Sequence, residues 1–155
     1  TIFFFFNTFS RGKGKFIPAA HRFPAEVPDN EYPVILTTGR ILYQYHTMTM
    51  TGKNSGLMKT AGEIYMEIHP ELAENLLLKQ GETVKVSSRR GSIKVKAKIT
   101  NKINKNTVFI PFHFAGGANI LTNNALDHFA KEPELKACTV KIEKLYLDAD
   151  CTEAR

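Results

Sequence analysis

The stretch from residue 82 to residue 114 constrains the fold most, because it predicts three short strands in direct succession. TVKVSS and SIKVKAKIT alternate apolar and polar residues on either side of the tight turn RRG, which predicts a β-hairpin. The polar turn NKINKN then leads into TVFIPFHF, the next predicted strand. Because the hairpin lysines alternate with apolar residues, they indicate a solvated face of the sheet.

Further strands are predicted from Tyr32 to Thr37, from Tyr65 to Ile68 and in CTVKIEKL. A compact helix is predicted in HPELAENLLLKQGE, with Pro70 in its first turn and Gly81 at its end. A second short helix is predicted around Asn124 to Ala130. Six or seven short strands with two short helices predict a mainly β fold, a small barrel rather than a doubly wound parallel sheet.

A length of 155 residues predicts one domain. Residues 1–31 contain three prolines, which exclude a long helix and predict an irregular lead-in or linker. Residues 32–145 then form the barrel, and the polar residues 146–155 are expected to be frayed. The opening TIFFFF lacks the features of a signal peptide, and without an initiator Met the chain is expected to be a piece of something longer.

The net charge of +6 permits an anionic partner such as nucleic acid, acidic lipid or a phosphorylated small molecule. Cys138 and Cys151 form no CxxC pattern, so we expect a reducing, cytoplasmic location and neither a disulfide framework nor a zinc site. No stretch approaches 18 apolar residues, so no membrane span is expected. GxSxG and P-loop motifs are absent, and the chain alone is poorly equipped for catalysis.

Polar residues gather directly after the first predicted strand. Gly39 in TTGR would let the backbone approach a ligand, and Arg40 would supply a fork of donors for phosphate. The hydroxyl, amide and imidazole groups that follow could bind phosphates and the edge of a heterocycle; they are Gln44, Tyr45, His46, Thr47 and Thr49. An ordinary polar surface turn is the alternative. SRRG could likewise grip phosphate, although a hairpin turn is the simpler account.

VFIPFHF runs into AGGAN and two further asparagines. Asn119, Asn123 and Asn124 either cap turns or hydrogen-bond to something flat and polar. Phe112 and Phe114 are expected to pack, with His113 on the opposite face. His69 is expected to cap the following helix.

Six segments together resemble a known family: TTGR, YQYHTMTMTG, IHPELAENLLLKQGETVKVSSRRGSI, VFIPFHF, ANILTNNALD and KEPELKACTVKIE. In this order, from Tyr32 to Lys144, they resemble the C-terminal dinucleotide-binding domain of molybdopterin oxidoreductases, most closely that of formate dehydrogenase catalytic (alpha) subunits. The resemblance implies a double-psi β-barrel of the aspartate decarboxylase-like class. It also implies a bis(molybdopterin guanine dinucleotide) cofactor with molybdenum or tungsten.

The resemblance implies that the barrel contacts the dinucleotide and pterin, while N-terminal catalytic domains or a separate subunit hold the metal ligand. The residues that match cofactor-side positions are Thr38, Gly39, Arg40, Gln44, His46, Thr47, Thr49, Asn119 and Lys131. Gln44 stands where many relatives carry histidine. Asn124 also matches, although a helix cap explains it equally well.

The family's metal-ligating cysteine or selenocysteine, its catalytic histidine–arginine pair and its iron–sulfur cysteines have no match here, since no cysteine precedes Cys138. We therefore expect a cofactor-binding module of an enzyme that converts formate to CO2. One alternative is the separate barrel subunit of formylmethanofuran dehydrogenase. Another is a nonenzymatic double-psi barrel that binds nucleic acid or protein through its positive charge, although nucleic acid is not the expected partner.

Overall fold

A computed structural model of the chain describes Phe9 and residues 11–145. Within these residues the strands are β1 (Val34–Gly39), β2 (Tyr65–Ile68), β3 (Thr83–Ser88), β4 (Gly91–Ile99), β5 (Thr107–Pro111) and β6 (Cys138–Lys144). The α-helices are α1 (Ser55–Ala61) and α2 (Pro70–Asn75), and short 3-10 helices span Thr51–Lys53 and Ala118–Ile120.

The six strands close into a barrel in the spatial order β1-β5-β2-β4-β3-β6. β1 and β5 pair in parallel, as do β2 and β4, whereas the other four pairings are antiparallel. Every strand therefore has two partners and no edge is left open. The closed six-stranded barrel with few helices confirms the mainly β fold and the double-psi β-barrel that the resemblance implied.

Alternate residues of the strands fill the barrel interior. In β4, for example, Ile93, Val95 and Ala97 are buried, whereas the lysines between them are exposed. The largest apolar side chains that are fully buried are Leu36, Met66, Ile68, Val84, Val86, Val95, Val108, Ile110, Leu121 and Val140. Each such side chain contributes about 1.5–3 kcal/mol through its removal from water, which makes this core the main source of stability.

The predicted β3–β4 hairpin is confirmed, with Arg89 and Arg90 as its two-residue turn. The prediction that α2 ends at Gly81 is wrong. Leu77 takes the left-handed conformation (φ +54°) that closes a helix, donating its N–H to Glu74, and the Leu78 N–H donates to the Ala73 carbonyl. This closing arrangement directs the buried Leu78 into the core, so the helix ends at Asn75.

The short helix predicted around Asn124 to Ala130 is absent from this described stretch. Side chains occupy the N–H groups there: Asn123 Oδ1 accepts from Ala125 N at 3.0 Å, and Asp127 Oδ1 accepts from the Phe129 and Ala130 N–H groups. Such local bonds compete with a helix ladder.

The helix α1, by contrast, was not predicted. Asn54 caps it, because its Oδ1 accepts from Leu57 N at 3.0 Å. A capping asparagine ahead of the apolar pair Leu57–Met58 was the sequence signal for this helix.

The strand predicted in TVFIPFHF ends at Pro111, so the alternation assumed for the next three residues fails. Phe112 and Phe114 are partly buried, as expected, but His113 is fully buried instead of lying on an opposite, outer face. His69 does cap α2, because its Nδ1 accepts from Glu71 N at 3.2 Å.

From residue 13 to residue 31 the described chain has no helix or strand, as predicted for an irregular lead-in. Its last part is fastened to the barrel, because Glu26 and Asp29 pair with Arg90 and Arg89. Residues 1–8, residue 10 and residues 146–155, with Cys151 and the predicted frayed tail, lie outside the described residues. Among those described, no helix combines the length and apolar character that a bilayer-spanning segment requires.

Candidate functional site

All ten predicted site residues lie at one end of the barrel. β1 and β5 run in parallel with Gly39 opposite Pro111, so the chain leaves both strands at the same edge. Residues 40–50 form the loop after β1, here called the first loop, and residues 112–124 form the loop after β5, the amide loop. Residues 125–137 form the return loop, which enters β6 opposite Leu36 and so reaches the same edge.

The first loop presents polar side chains to solvent. Arg40, Thr47 and Thr49 are exposed, and within the described part of the chain their side chains have no hydrogen-bond or ion-pair partner. The exposed ring of His46 makes only an edge-on contact with Tyr45, with centroids 4.4 Å apart. The loop therefore supplies a guanidinium, two hydroxyls and an imidazole that are available to a ligand.

The backbone of the first loop is strained at two places. His46 (φ +43°) and Met48 (φ +62°) both adopt left-handed conformations that side-chain-bearing residues rarely take. Each such residue costs on the order of 1–3 kcal/mol and persists only where its surroundings hold it. The loop must therefore be held by specific contacts.

Gln44 supplies one of these contacts. Its buried amide donates from Nε2 to the Ala61 carbonyl at 2.8 Å and accepts at Oε1 from Thr51 Oγ1 at 2.6 Å. The structure thus directs this predicted site residue into the protein, where it joins the first loop to the end of α1. A direct contact between the Gln44 amide and a ligand would require these bonds to break.

The end of β1 is fastened to the return loop. Thr38 is buried and donates from Oγ1 to the Leu135 carbonyl at 2.7 Å, and its own carbonyl accepts from Lys136 Nζ at 2.7 Å. A Cβ at Gly39 would lie 2.8 Å from Phe109 Cε2, so only glycine fits this position without a shift. Lys136, which was not among the predicted site residues, lies against the end of β1.

Lys131 itself is exposed, has a left-handed backbone (φ +57°) and carries an ammonium without a partner in the described chain. Nothing in the sequence distinguished it from Lys136, since contact with Thr38 depends on how the return loop folds back. Both lysines leave ammonium donors free at this end of the barrel.

The three asparagines of the amide loop have different environments. Asn123 is buried and donates from Nδ2 to the Ala137 carbonyl at 2.8 Å, so it shapes a turn. Asn119 lies on the 3-10 helix and Asn124 follows it; both are exposed, and their amides have no partner in the described structure. The helix-cap alternative for Asn124 is wrong, because no helix begins there. Gly116 makes the preceding turn with φ +69°.

His113 joins the first loop to the amide loop. Its Nε2 accepts from Ile41 N at 3.0 Å, and its Nδ1 contacts the His46 carbonyl oxygen at 2.6 Å. The ring is completely buried. The sequence prediction missed this role because it extended the strand alternation beyond Pro111.

The β3–β4 turn closes the same end of the barrel. Arg90 donates from Nε and Nη2 to the Leu121 carbonyl at 3.1 and 2.7 Å and pairs with Glu26. Arg89 lies 4.5 Å over the Tyr32 ring and pairs with Asp29. Both guanidinium groups are thus committed within the protein, which confirms SRRG as a hairpin turn.

The ion pair between Glu26 and Arg90 shifts the pKa of Glu26. Burial acts to raise the pKa of Glu26, but hydrogen bonds from Arg90 and from Thr139 N outweigh it and hold the pKa below its ordinary value. Burial raises the pKa of the neighbouring Cys138 thiol to about 11, so this cysteine stays protonated at neutral pH and is a core residue rather than a nucleophile.

A separate cleft of about 750 Å³ lies beside the first loop, between its first residues, the end of α1 and the outer face of β2 and β4. Ile41 and Tyr43 line one side, and Tyr65 and Lys98 line the other. None of the ten predicted residues lines this cleft. Seven of the ten carry polar side chains that are exposed to solvent and are here called the polar cluster: Arg40, His46, Thr47, Thr49, Asn119, Asn124 and Lys131.

The polar cluster at the barrel end suits a ligand that carries phosphates and a heterocycle. Arg40 offers a forked donor for phosphate, and the hydroxyls of Thr47 and Thr49 can donate or accept. The amide of Asn119 can do both at once, which suits the mixed donor and acceptor edge of a pterin or purine. The donor set therefore fits a molybdopterin dinucleotide.

Comparison with known proteins agrees with this fit. Residues 34–139 match the molydopterin dinucleotide binding domain. The chain is 51% identical over 135 residues to "F420-dependent formate dehydrogenase subunit alpha" of Methanocaldococcus jannaschii, covering 86% of this chain and 20% of the relative. It is 45% identical over 138 residues to "Nitrate reductase" of Symbiobacterium thermophilum, covering 86% of this chain and 18% of that relative.

Among solved structures, acetylene hydratase from Pelobacter acetylenicus matches the fold with a TM-score of 0.65 and 20% identity, over 74% of this chain and 18% of that one. The chain spans about a fifth of the length of the curated relatives named above. The match of the domain, which covers the barrel from β1 to the start of β6, decides its classification: this chain belongs to the molydopterin dinucleotide binding domain family.

Proposed function

We propose that this chain is the dinucleotide-binding part of a formate dehydrogenase and that it holds bis(molybdopterin guanine dinucleotide) with molybdenum or tungsten. The observation that carries the proposal is the group of unpartnered polar side chains where β1 and β5 end. Similarity to formate dehydrogenase alpha subunits of Methanocaldococcus jannaschii and Methanococcus maripaludis, at 45–51% identity over 135 residues, supports the choice of substrate.

Five residues at this end of the barrel have specific tasks in this proposal. Arg40 pairs with a phosphate of the dinucleotide, and the hydroxyls of Thr47 and Thr49 complete the phosphate contacts. Asn119 donates to a carbonyl and accepts from an amino group of a ring, while Gly39 keeps the β1 backbone close to Phe109. When bound, the molybdopterin supplies the metal-centred redox chemistry, and the protein supplies binding and orientation.

Other parts of the enzyme are proposed to cover this end of the barrel. Large apolar side chains are exposed around the polar cluster, among them Leu42 at 87%, Met50 at 68% and Phe129 at 89%. Large apolar side chains exposed on neighbouring loops are typical of a surface that another protein covers. We assign that surface to the N-terminal catalytic domains or to a separate catalytic subunit of the same enzyme, and the whole enzyme to the cytoplasm.

A nitrate reductase is the second candidate, because similarity to the nitrate reductase of Symbiobacterium thermophilum extends over the same share of the chain. The cofactor-binding role of the barrel is common to both candidates. The substrate therefore has to be decided on the intact enzyme.

The proposal is tested by isolating the chain with its partners from its native host. The preparation is assayed for molybdenum, tungsten and the fluorescent pterin that oxidation releases, and then for dye reduction by formate and for reduction of nitrate. Pterin, one of the two metals and formate-dependent activity are expected. A preparation without pterin would refute the cofactor role, whereas pterin with nitrate reduction alone would leave that role intact and replace the substrate.

A further inference from the structure

We infer that His113 is a positioning residue that locks the first loop to the amide loop, so that the polar side chains of both loops meet one ligand. The identity of that ligand rests on the proposed function. The two hydrogen bonds that define the role do not depend on it.

The ring nitrogens of His113 have complementary tasks. Because the Ile41 N–H donates to Nε2 at 3.0 Å, Nε2 carries no proton. The contact of 2.6 Å between Nδ1 and the His46 carbonyl oxygen then requires a proton on Nδ1. A neutral imidazole with its proton on Nδ1 satisfies both bonds at once, which neither the other tautomer nor the imidazolium does.

These bonds hold the first loop at two points. Ile41 directly follows Arg40, and His46 is the left-handed residue that precedes Thr47. The bond to the His46 carbonyl fixes the peptide group on which the strained turn depends. The ring of His113 therefore sets the position of the backbone that carries both Arg40 and Thr47.

The same ring extends the β1–β5 pairing beyond the strands. The last backbone contact of that pairing is from Phe112 N to the Gly39 carbonyl at 3.2 Å. His113 follows directly and replaces the next backbone contact with two side-chain bonds. Because the amide loop continues from His113 to Asn119, the spacing between the two ligand-facing loops is fixed at this residue.

A purely space-filling role would favour an apolar residue, because burying a polar ring is unfavourable unless its atoms are hydrogen-bonded. A leucine could fill most of the same volume, but it would leave the Ile41 N–H and the His46 carbonyl without their partner. A space-filling role and a positioning role therefore make different predictions. They differ for a substitution that preserves the volume of His113 and for substitutions that preserve one of its two hydrogen bonds.

Three substitutions separate these bonds. In His113→Asn the side-chain amide replaces Nδ1 and can donate to the His46 carbonyl. In His113→Gln the amide reaches the position of Nε2 and can accept from Ile41 N. His113→Leu keeps neither bond. Ile68→Ala is the matched control for lost stability, because Ile68 is fully buried at the opposite end of the barrel.

Three measurements are made on each variant. Hydrogen exchange at the Ile41 amide and the carbonyl ¹³C shift of His46 report the two bonds, and pterin per chain in the enzyme isolated with its partners from the native host reports ligand retention. In His113→Leu we expect exchange at Ile41 to rise and pterin to fall, each by about tenfold or more. We expect His113→Gln to restore protection at Ile41, His113→Asn to restore the His46 shift, and Ile68→Ala to retain pterin.

The inference is overturned if His113→Leu keeps wild-type exchange at Ile41, the wild-type His46 shift and wild-type pterin. If His113→Leu does not fold, the two single-bond variants decide: unchanged protection and pterin in both would refute the positioning role. A wild-type enzyme, isolated with its partners, that holds no pterin would refute the proposed function instead, and the exchange and shift measurements would still test His113.

Discussion

Three consecutive residues at the end of β1 differ sharply in what surrounds them. Thr38 is buried and bound to the return loop, Gly39 lies against the Phe109 ring, and Arg40 extends into solvent. The sequence TTGR marks all three as candidates for one ligand site. The structure leaves only the Arg40 side chain free to bind, so its loss and the loss of Gly39 have different consequences.

Arg40→Ala is expected to weaken cofactor retention without weakening the fold. Because the guanidinium has no partner in the described chain, the free energy of unfolding should change by no more than about 0.5 kcal/mol. A lost charged hydrogen bond of about 1.5–3 kcal/mol should lower retention by roughly tenfold or more. Pterin per chain and urea unfolding are the two measurements, and Asn119→Ala should behave in the same way.

Lys79→Ala is the matched control for Arg40→Ala, because it also removes one exposed positive charge but lies in the turn after α2, at the opposite end of the barrel. It should leave pterin unchanged. Equal loss of pterin in both variants would mean that net charge, not the Arg40 contact, governs retention. Unfolding of Arg40→Ala would make Arg40 a structural residue.

Gly39→Ala tests the close packing at the end of β1. The added Cβ would meet Phe109 Cε2 at 2.8 Å, and Phe109 is only partly buried, so the ring must move. We expect a loss of about 1–3 kcal/mol in the free energy of unfolding, the usual cost of overpacking. Urea unfolding should show partial recovery when Phe109→Leu is added to Gly39→Ala.

The control is Gly52→Ala, whose added Cβ would lie at an ordinary 3.6 Å from Met48 Cβ. This variant should stay close to wild type. If Gly39→Ala is equally harmless, the ring of Phe109 yields freely and Gly39 is not required for packing.

At the scale of whole elements, the strands were predictable because their signal is local. Alternation along β3 and β4, with a two-residue turn between them, determines the pairing without reference to the rest of the chain. Two helix predictions were wrong: the end of α2 and the helix after Asn124. In both places the outcome depends on which acceptor group hydrogen-bonds to each backbone N–H. Propensity and periodicity do not contain that information.

The site was predictable only in part, because some of its residues are placed by contacts with distant parts of the chain. The exposed residues Arg40, Thr47 and Asn119 stand in loops that follow strands, which sequence order alone reveals. His113 acquires its role through partners 67 and 72 residues away, and Lys136 through one 98 residues away. Such contacts exist only once β1 and β5 pair in parallel and the return loop reaches the same edge.

Glu26→Gln tests the attachment of the lead-in segment to the β3–β4 turn. Glu26 and Arg90 are both largely shielded, with side chains 15% and 24% exposed, so the change leaves a guanidinium without its carboxylate. We expect a loss of about 2 kcal/mol in the free energy of unfolding at pH 7. Because Arg90 also holds the Leu121 carbonyl, the amide loop should loosen as well.

The pH dependence of Glu26 has a definite sign. Its pKa lies below the ordinary value of 4.5 in the folded chain, so the native state binds fewer protons there. The contribution of ionised Glu26 to the free energy of unfolding is complete above about pH 4.5 and is lost as the pH falls through the pKa of the folded chain. Urea unfolding between about pH 3 and pH 7 should therefore show a shallower acid loss in Glu26→Gln than in wild type.

Glu132→Gln is the control, since Glu132 is exposed and its carboxylate has no partner in the described residues. It should follow the wild-type pH profile. The same acid slope in wild type and in Glu26→Gln would show that the Glu26–Arg90 pair does not contribute to stability.

At the scale of the whole molecule, the chain carries a net charge of +6, but the described residues form no continuous basic track because most of their strand lysines are paired. Most strand lysines face carboxylates across the barrel surface. The lysines in ion pairs are Lys85, Lys96, Lys98, Lys105, Lys141 and Lys144. Such exposed pairs add little stability, at about 0–1 kcal/mol each, but they cancel local charge. A polyanion would therefore meet separated positive groups rather than a stripe.

This arrangement distinguishes the cofactor role from the nonenzymatic alternative. We expect only weak binding to a DNA duplex of about 20 base pairs, with a Kd of roughly 10 µM or weaker near 150 mM salt, the range of non-specific binding. Bound pterin should be retained when salt rises from about 50 to 500 mM, because binding through several directed hydrogen bonds and close backbone approach releases few counterions. Fluorescence anisotropy at several salt concentrations and pterin content after dialysis are the measurements. Tight DNA binding with a steep salt slope, together with no retained pterin, would instead identify the chain as a barrel that binds a polyanion.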